Sequence, residues 1–317
     1  MDLSLIIPIH NEEANLRELF NAVLTAMNPI KMKWEMVFVD DGSTDRSLEL
    51  LNEFAHEKPR HIKIIELKRN YGQTAALAAG IDNASGEIIT LLDGDLQNDP
   101  ADIPLLLDKL NEGYDVVSGW RKDRKDNYLT RILPSNIANW IISSVTGLKL
   151  HDYGCTLKSY RREFLGAFRL YGEMHRFIPA YAKSVGAKVT EVVVRHRPRK
   201  HGKSNYGIDR TLKVLLDLIT VKFLMSYSAK PMRLFGGVGI GLMTFSAAIL
   251  IFLAIRRILN LTPVLGSPLF QISIVILVLG FQSILMGLIA ELLVRTYYES
   301  QGKSTYSIRS IVKNKED

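Results

Sequence analysis

Asp93-Gly94-Asp95-Leu96-Gln97 sets two carboxylates one residue apart, with a glycine between them that permits close approach and an amide just after. Hard oxygen ligands of this kind suit Mg²⁺ or Mn²⁺ rather than zinc, and a metal held there would bridge the chain to a diphosphate. The plainer reading of the same spacing is a helix cap beside a solvated acid. A second pair, Asp40-Asp41, runs into Gly42-Ser43-Thr44-Asp45. It reads either as the cap of the following helix or as a carboxylate fixed to accept the N–H edge of a nucleobase, uracil or guanine.

The elements that must position these groups alternate regularly. Strands are expected from Leu3 to Pro8, Met36 to Val39, Ile62 to Leu67 and Ile88 to Leu92. Helices are expected from Glu12 to Met27, Leu48 to His56, Gln73 to Asn83 and Pro100 to Asn111. Short β-branched runs between amphipathic helices predict an α/β fold with a mostly parallel, doubly wound sheet. Ligands of such sheets bind beyond the carboxyl ends of the strands, where both acidic pairs fall.

A formal charge of +7 over 317 residues suits an anionic partner: nucleic acid, a lipid headgroup or a phosphorylated substrate. Cys155 is the only cysteine, which excludes an internal disulfide and a thiolate metal cluster and points to the cytosol. Without an activating base beside it, Cys155 reads as packing. The start of the chain has no basic leader or small-residue cleavage site, so no signal peptide is expected.

After residue 207 the pattern changes. Ile208, Leu212, Leu215, Leu216, Ile219 and Phe223 fall at helical spacing opposite Arg210, Lys213 and Asp217, as in a helix lying in a membrane interface. Leu234 to Ile255 and Leu269 to Ala290 are uncharged and long enough to span a bilayer, which takes about 20 apolar residues. A buried hairpin in a soluble fold is the competing reading. Arg256 and Arg257 are expected in the loop between the spans, whereas the flanks carry Lys222, Lys230, Arg233, Arg295, Lys303, Arg309, Lys313 and Lys315. The positive-inside rule then puts both termini in the cytoplasm. Glu291, just past the second span, is expected to face a partner or the interface.

With Pro8-Ile9-His10-Asn11-Glu12-Glu13 and Val39-Asp40-Asp41-Gly42-Ser43 added to the Asp93 segment, the chain resembles the family 2 glycosyltransferases of GT-A fold. Its likeness is greatest to the polyprenyl-phosphate sugar synthases, the dolichyl-phosphate mannose synthase group and bacterial relatives with two terminal spans. The resemblance implies a cytosolic GT-A domain over residues 1–207, an interfacial helix over 208–230, and a two-span hairpin with a cytosolic tail over 231–317. By the same likeness Pro8, His10, Glu12, Phe38 and Asp40 hold the nucleoside, and Asp93, Gly94 and Asp95 meet ribose, diphosphate and metal. Gln97 completes the metal shell. His10 stands where members commonly carry tyrosine. Arg121 takes the place of a phosphate-binding arginine, Arg131 and Ser135 that of the lipid-phosphate site, and Arg199 that of a donor-diphosphate ligand. Arg195, Arg197 and Lys200 read alternatively as a basic patch for lipid headgroups.

The implied reaction is inverting transfer of one sugar from a UDP- or GDP-linked donor to polyprenyl phosphate, with Mg²⁺ or Mn²⁺, at the cytoplasmic membrane. Asp95, Arg121 and Arg131 carry it, Asp95 as ligand and not as base. The alternatives are a membrane enzyme extending a glycan on a sugar hydroxyl and a non-catalytic nucleotide-sugar binder. A nucleic-acid partner is disfavoured by the missing aromatic ladder, and association into homo-oligomers is left open.

Overall fold

The computed structural model describes residues 1–122, 133–165, 174–198, 218, 220–223, 230–259 and 267–300. The chain forms two compact units, Met1–Val221 and Lys222–Asp317. Their boundary falls inside the segment expected to be an interfacial helix. Of that segment only residues 218, 220–223 and 230 are described, so most of it lies outside the described residues.

In the first unit β1 (Leu3–Ile9), α1 (Glu13–Met27), β2 (Trp34–Asp40), α2 (Ser47–Glu57), β3 (Ile62–Glu66), α3 (Gln73–Asn83) and β4 (Ile88–Leu91) follow one another in the expected alternation. Then come α4 (Ile103–Asn111), β5 (Val116–Trp120), α5 (Leu133–Thr146), β6 (Lys158–Arg161), α6 (Ile178–Ser184) and β7 (Val189–Val193). The helix expected from Pro100 begins at Ile103 instead. Pro100–Asp102 is a 3-10 turn, capped by the Asp99 carboxylate accepting from Ala101 N at 3.1 Å.

The seven strands lie in the order β3-β2-β1-β4-β6-β5-β7. The first four are parallel, as are β5 and β7, while β6 runs antiparallel to both β4 and β5. The sheet is therefore mixed about one reversed strand. Residues alternate between its faces. Leu5, Ile7, Met36 and Phe38 pack with α1, α2 and α4, and Ile6, Val37, Val39 and Ile89 pack with α3 and α6. Phe20 and Phe54 stack at 4.3 Å under the first face.

Helix α3 lies hard against the sheet because Gly80 has no side chain. A Cβ there would meet Ile6 Cγ2 at 2.3 Å and Val39 Cγ2 at 3.2 Å. The close contact fixes the N-terminus of α3 beside the carboxyl ends of β1 and β2.

The second unit is a hairpin of α7 (Met232–Ile258) and α8 (Pro268–Ser300). Both helices outrun the apolar segments that announce them, and Arg256 and Arg257 sit in the last turn of α7, not in the loop as expected. Each candidate span has a mean hydropathy of 2.5 with only 17% of it buried. That exposure argues against a soluble core hairpin and for a membrane-associated one. Gly239 and Gly280 face each other so closely that a Cβ on either would lie 2.6 Å or 2.8 Å from the other's carbonyl oxygen. Ser246 Oγ donates to Ser273 O at 2.6 Å and Ser283 Oγ to Phe235 O at 2.8 Å.

Gly80→Ala tests the packing of α3. Overpacking costs about 1–3 kcal/mol, against a gain of at most about 1 kcal/mol from helix propensity. The full chain in detergent should unfold at a lower temperature. An unchanged or higher midpoint would show that α3 can lift from the sheet freely.

Candidate active site at the strand ends

The turns after β1 and β2 are stitched together by side chains. Asn11, at φ 55°, donates its N–H to Ser43 Oγ at 3.0 Å, and its Oδ1 accepts from Thr44 N at 2.7 Å. Glu13 N donates to Asp45 Oδ2 at 3.2 Å, and Asp45 Oδ1 accepts from Ser47 N. The capping work expected of Asp40-Asp41 is thus done by Asp45, whose pKa is lowered: burial would raise it, and the hydrogen bonds from Ser47 and Glu13 outweigh that.

The two members of the Asp40-Asp41 pair do different things. Asp41 accepts from Tyr71 N at 2.7 Å and Gly72 N at 2.8 Å, pinning the loop that leads into α3. Gly42, at φ 65°, allows that loop in: a Cβ would lie 2.5 Å from the carbonyl carbon of Arg69. Asp40 is buried at the end of β2. Its Oδ2 accepts from Ser43 N at 3.2 Å, and its Oδ1 is buried with no hydrogen-bond partner. A buried acceptor left unpaired is what a ligand N–H would satisfy.

Around it the expected nucleoside residues fare unequally. The exposed His10 ring sets Nδ1 2.9 Å from Asp41 O, where Nδ1 donates, and Nε2 lies 3.4 Å from Asn11 Nδ2. Pro8 is half-buried. Glu12 Oε2 accepts from Asn15 Nδ2 at 2.5 Å within the first turn of α1. Phe38 requires correction: it is wholly buried, its ring 6.4 Å from that of Phe54, so its side chain belongs to the core and not to a nucleoside pocket.

The acidic loop after β4 meets the end of β1. A Cβ on Gly94 would lie 2.8 Å from Ile9 Cδ1 and 3.3 Å from Pro8 O. Asp93 accepts from Gln73 Nε2 at 2.8 Å, and the buried Asp95 accepts from Gln97 N at 3.1 Å across Leu96, whose φ is 61°. Gln97 is half-buried and its carbonyl accepts from Arg197 N at 2.9 Å. Among the described residues no group of three or more His, Cys, Asp or Glu forms a ready metal cage. Two carboxylates and an amide oxygen suit a hard cation whose remaining ligands are diphosphate and water, so the donor set fits Mg²⁺ or Mn²⁺.

Arg121 follows β5, one strand away from β4 across β6. Its Nε and Nη2 donate to Asp152 Oδ2 and Oδ1 at 2.7 Å and 3.0 Å. The side chains are 12% and 4% exposed, so this fork is largely desolvated and fixed. Arg121 lines a cleft of ≈ 890 Å³ with Trp120, Lys122, Asn139, Lys149 and His151. His151 stacks on Trp120 at 4.1 Å and pairs with Glu191. Ser135 is half-buried in the first turn of α5. Arg131 and Arg199 lie outside the described residues.

Arg195 and Arg197 do not form a free basic patch. Arg195 pairs with Asp102 at 2.8 Å and Arg197 with Asp99 at 2.6 Å, which neutralises both. Cys155 is buried, its thiol pushed up to about 11 by burial, so it is no nucleophile. Gln73 and the Tyr71-Gly72 backbone escaped the sequence reading. A polar residue opening an otherwise apolar helix was the available signal for Gln73.

Residues 4–169 match Glycosyl transferase family 2. The dodecaprenyl-phosphate galacturonate synthase of Rhizobium johnstonii is 43% identical over 98% of this chain and 93% of its own. The undecaprenyl-phosphate 4-deoxy-4-formamido-L-arabinose transferase of Edwardsiella ictaluri is 34% identical over 98% of this chain and 94% of its own. Glucosyl-3-phosphoglycerate synthase from Mycobacterium tuberculosis, solved with Mn²⁺, UDP and phosphoglyceric acid, superposes with a TM-score of 0.53 over 71% of this chain and 78% of that one. At 17% identity that likeness is one of fold. A family match over half the chain, relatives aligned along nearly all of it and a shared mixed sheet agree: the chain belongs to glycosyltransferase family 2 and has the GT-A-like fold.

Proposed function

We propose that the protein transfers one sugar, with inversion, from a uridine-diphosphate donor to the phosphate of a membrane polyprenyl lipid. The observation that carries this is the buried, unpartnered Oδ1 of Asp40 beside the Asp93-Gly94-Asp95 loop, in a chain whose relatives are named for polyprenyl-phosphate sugar transfer along their length.

One free acceptor on Asp40 supports uracil. Its N3–H is a single donor between two carbonyls and matches the one open oxygen, whereas the two adjacent N–H groups of guanine would engage both carboxylate oxygens and share one of them with the backbone. One of these already serves Ser43 N. Asp93, Asp95 and Gln97 would hold a divalent cation, which when bound neutralises charge on the departing nucleotide diphosphate. Gln73 orients Asp93 with a neutral amide and leaves its charge intact. Arg121, held by Asp152, would steer the acceptor phosphate with Ser135, and the family resemblance gives Arg131 the same task and Arg199 that of binding the donor diphosphate. A phosphate monoester has its second pKa near ~6, so it arrives ionised and needs no protein base. Its oxygen bonds to the anomeric carbon as the bond to the diphosphate oxygen breaks, the diphosphate leaving with the electron pair. The hairpin crosses the cytoplasmic membrane with both ends cytosolic, as the excess of flanking lysine and arginine supports.

Incubation with undecaprenyl phosphate and a panel of labelled UDP- and GDP-sugars tests the reaction directly. Transfer of a UDP-linked sugar into lipid is expected; labelling only of a glycan hydroxyl would favour the polysaccharide reading. Asp95→Asn should lower transfer by at least about a hundredfold, the scale of one lost electrostatic contact at a reacting centre, without lowering the unfolding temperature. Near-normal activity in Mg²⁺ or Mn²⁺ would remove Asp95 from the metal site. In calorimetry UDP should bind more tightly than GDP. Asp40→Asn should weaken UDP by roughly ten- to a hundredfold, since it loses the hydrogen bond and leaves a buried group unpaired. GDP binding more tightly than UDP would overturn the uridine assignment.

A further inference from the structure

Asp152, which holds the Arg121 fork, sits in the loop from α5 to β6, a stretch with neither helix nor strand. A side-chain amide supplies the order that regular structure does not. Asn139 Nδ2 donates to His151 O at 2.7 Å, and Asn139 Oδ1 accepts from Tyr153 N at 3.3 Å. One amide thereby grips the two peptides that flank Asp152, as a neighbouring strand would. These partners also fix which end of the amide is which, since a carbonyl only accepts and a backbone N–H only donates. Asn139 is 9% exposed, and a buried amide is costly unless hydrogen-bonded. Here the loop backbone satisfies each end.

With its backbone gripped from that side, Asp152 turns its carboxylate to Arg121. Oδ2 accepts from Nε at 2.7 Å and Oδ1 from Nη2 at 3.0 Å, and Gly154 N donates to Oδ1 at 3.0 Å. An aspartate side chain is short, so its backbone decides where the guanidinium fork can sit. Ser135 stands four residues before Asn139, one turn away on the same face of α5. The contacts therefore run from the Ser135 face of α5 through Asn139 and Asp152 to Arg121, and both Asn139 and Arg121 line the cleft.

A second tie lies behind the first. Tyr153, 1% exposed, sets its hydroxyl 3.1 Å from Thr146 Oγ1 in the last turn of α5 and donates to Leu148 O at 2.6 Å. That tie attaches the loop to α5 whether or not Asn139 is present. What Asn139 adds is the register of Asp152.

We propose that Asn139 is a positioning residue for the acceptor phosphate: by gripping the backbone on either side of Asp152 it sets the Arg121 guanidinium at a fixed place relative to Ser135, so that both meet one phosphate. The proposal rests on the reading of Arg121 and Ser135 as phosphate ligands. A guanidinium fork recognises phosphate by geometry as well as charge, so a displacement of about 1 Å leaves the charge in place and spoils the fit. An amide is kept at a buried helix position where leucine would pack with no polar atoms to satisfy.

A double-mutant cycle on binding of farnesyl phosphate, a short soluble polyprenyl phosphate, to the full chain in detergent tests this, with UDP as control. Asn139→Leu should weaken farnesyl phosphate by roughly tenfold, the scale of one hydrogen bond to a charged group, and leave UDP affinity as it is. Arg121→Lys keeps the charge but not the fork, and should itself weaken farnesyl phosphate by roughly tenfold. In that background Asn139→Leu should cost less than about twofold, because side chains that act through one another do not add. Should Asn139→Leu fail to fold, Asn139→Ala, which brings no bulk and keeps the Tyr153 tie, repeats the cycle. A loss of equal size in both backgrounds, a parallel loss of UDP affinity, or no loss at all overturns the proposal and leaves Asn139 a structural residue of the loop. A wild type that does not bind farnesyl phosphate, or Arg121→Lys binding it as tightly as wild type, overturns the reading of Arg121 as a phosphate ligand, and this inference with it.

Discussion

A carboxylate oxygen buried without a donor costs about 1–3 kcal/mol, and the first unit is arranged so that Asp40 Oδ1 bears that cost. Asp40 ends a strand buried along its whole length, so it cannot turn outward without moving β2. Its neighbour Asp41 draws the Tyr71-Gly72 backbone over the turn, and Gly42 and Gly94 remove the side chains that would keep the turns apart. The same contacts bring the acidic loop after β4 against the end of β1. The unpaired oxygen and the acidic pair therefore lie at one edge of the sheet, at the ends of the strands on either side of β1.

Three carboxylates of the first unit are tied to arginines. Asp99 and Asp102 are matched by Arg197 and Arg195, and Asp152 by Arg121. Those pairs are scaffold: they tie the segment after β7 to the acidic loop and the loop before β6 to the end of β5. Asp93 receives the amide of Gln73, a contact that orients the carboxylate without bringing a charge of its own.

Much of this was legible in the sequence, for physical reasons that also mark where legibility ended. The first four strands and three helices are announced by apolar runs and helical spacing, and the acidic pairs sit at strand ends as the topology requires. β6 was not legible: four residues, Lys-Ser-Tyr-Arg, carry neither an apolar run nor a turn signal, and their place is set by pairing on both sides. Phe38 was misread because motif position says nothing about depth: it shares a face of β2 with Asp40 but lies one side-chain pair inward from the strand end, beside Phe54. A basic patch stayed open as a reading of Arg195 and Arg197 because their acidic partners lie 93 and 98 residues away in the chain.

With the hairpin in a membrane, as proposed, the two units are held by different forces. The first is stabilised by burying apolar side chains from water. In a bilayer that drive is absent between helices, and close backbone approach with interhelical hydrogen bonds takes its place. The Gly239–Gly280 contact and the serine-to-carbonyl bonds of the hairpin are of that kind. The lipid acceptor proposed for this enzyme obeys the same rule, since each CH₂ drawn from the membrane costs about 0.8 kcal/mol. A polyprenyl tail stays where it is, so the chemistry must come to the headgroup plane. In the proposed setting a membrane hairpin on the same chain as the transferase unit would keep enzyme and acceptor in one two-dimensional phase, raising the local acceptor concentration without any added contact.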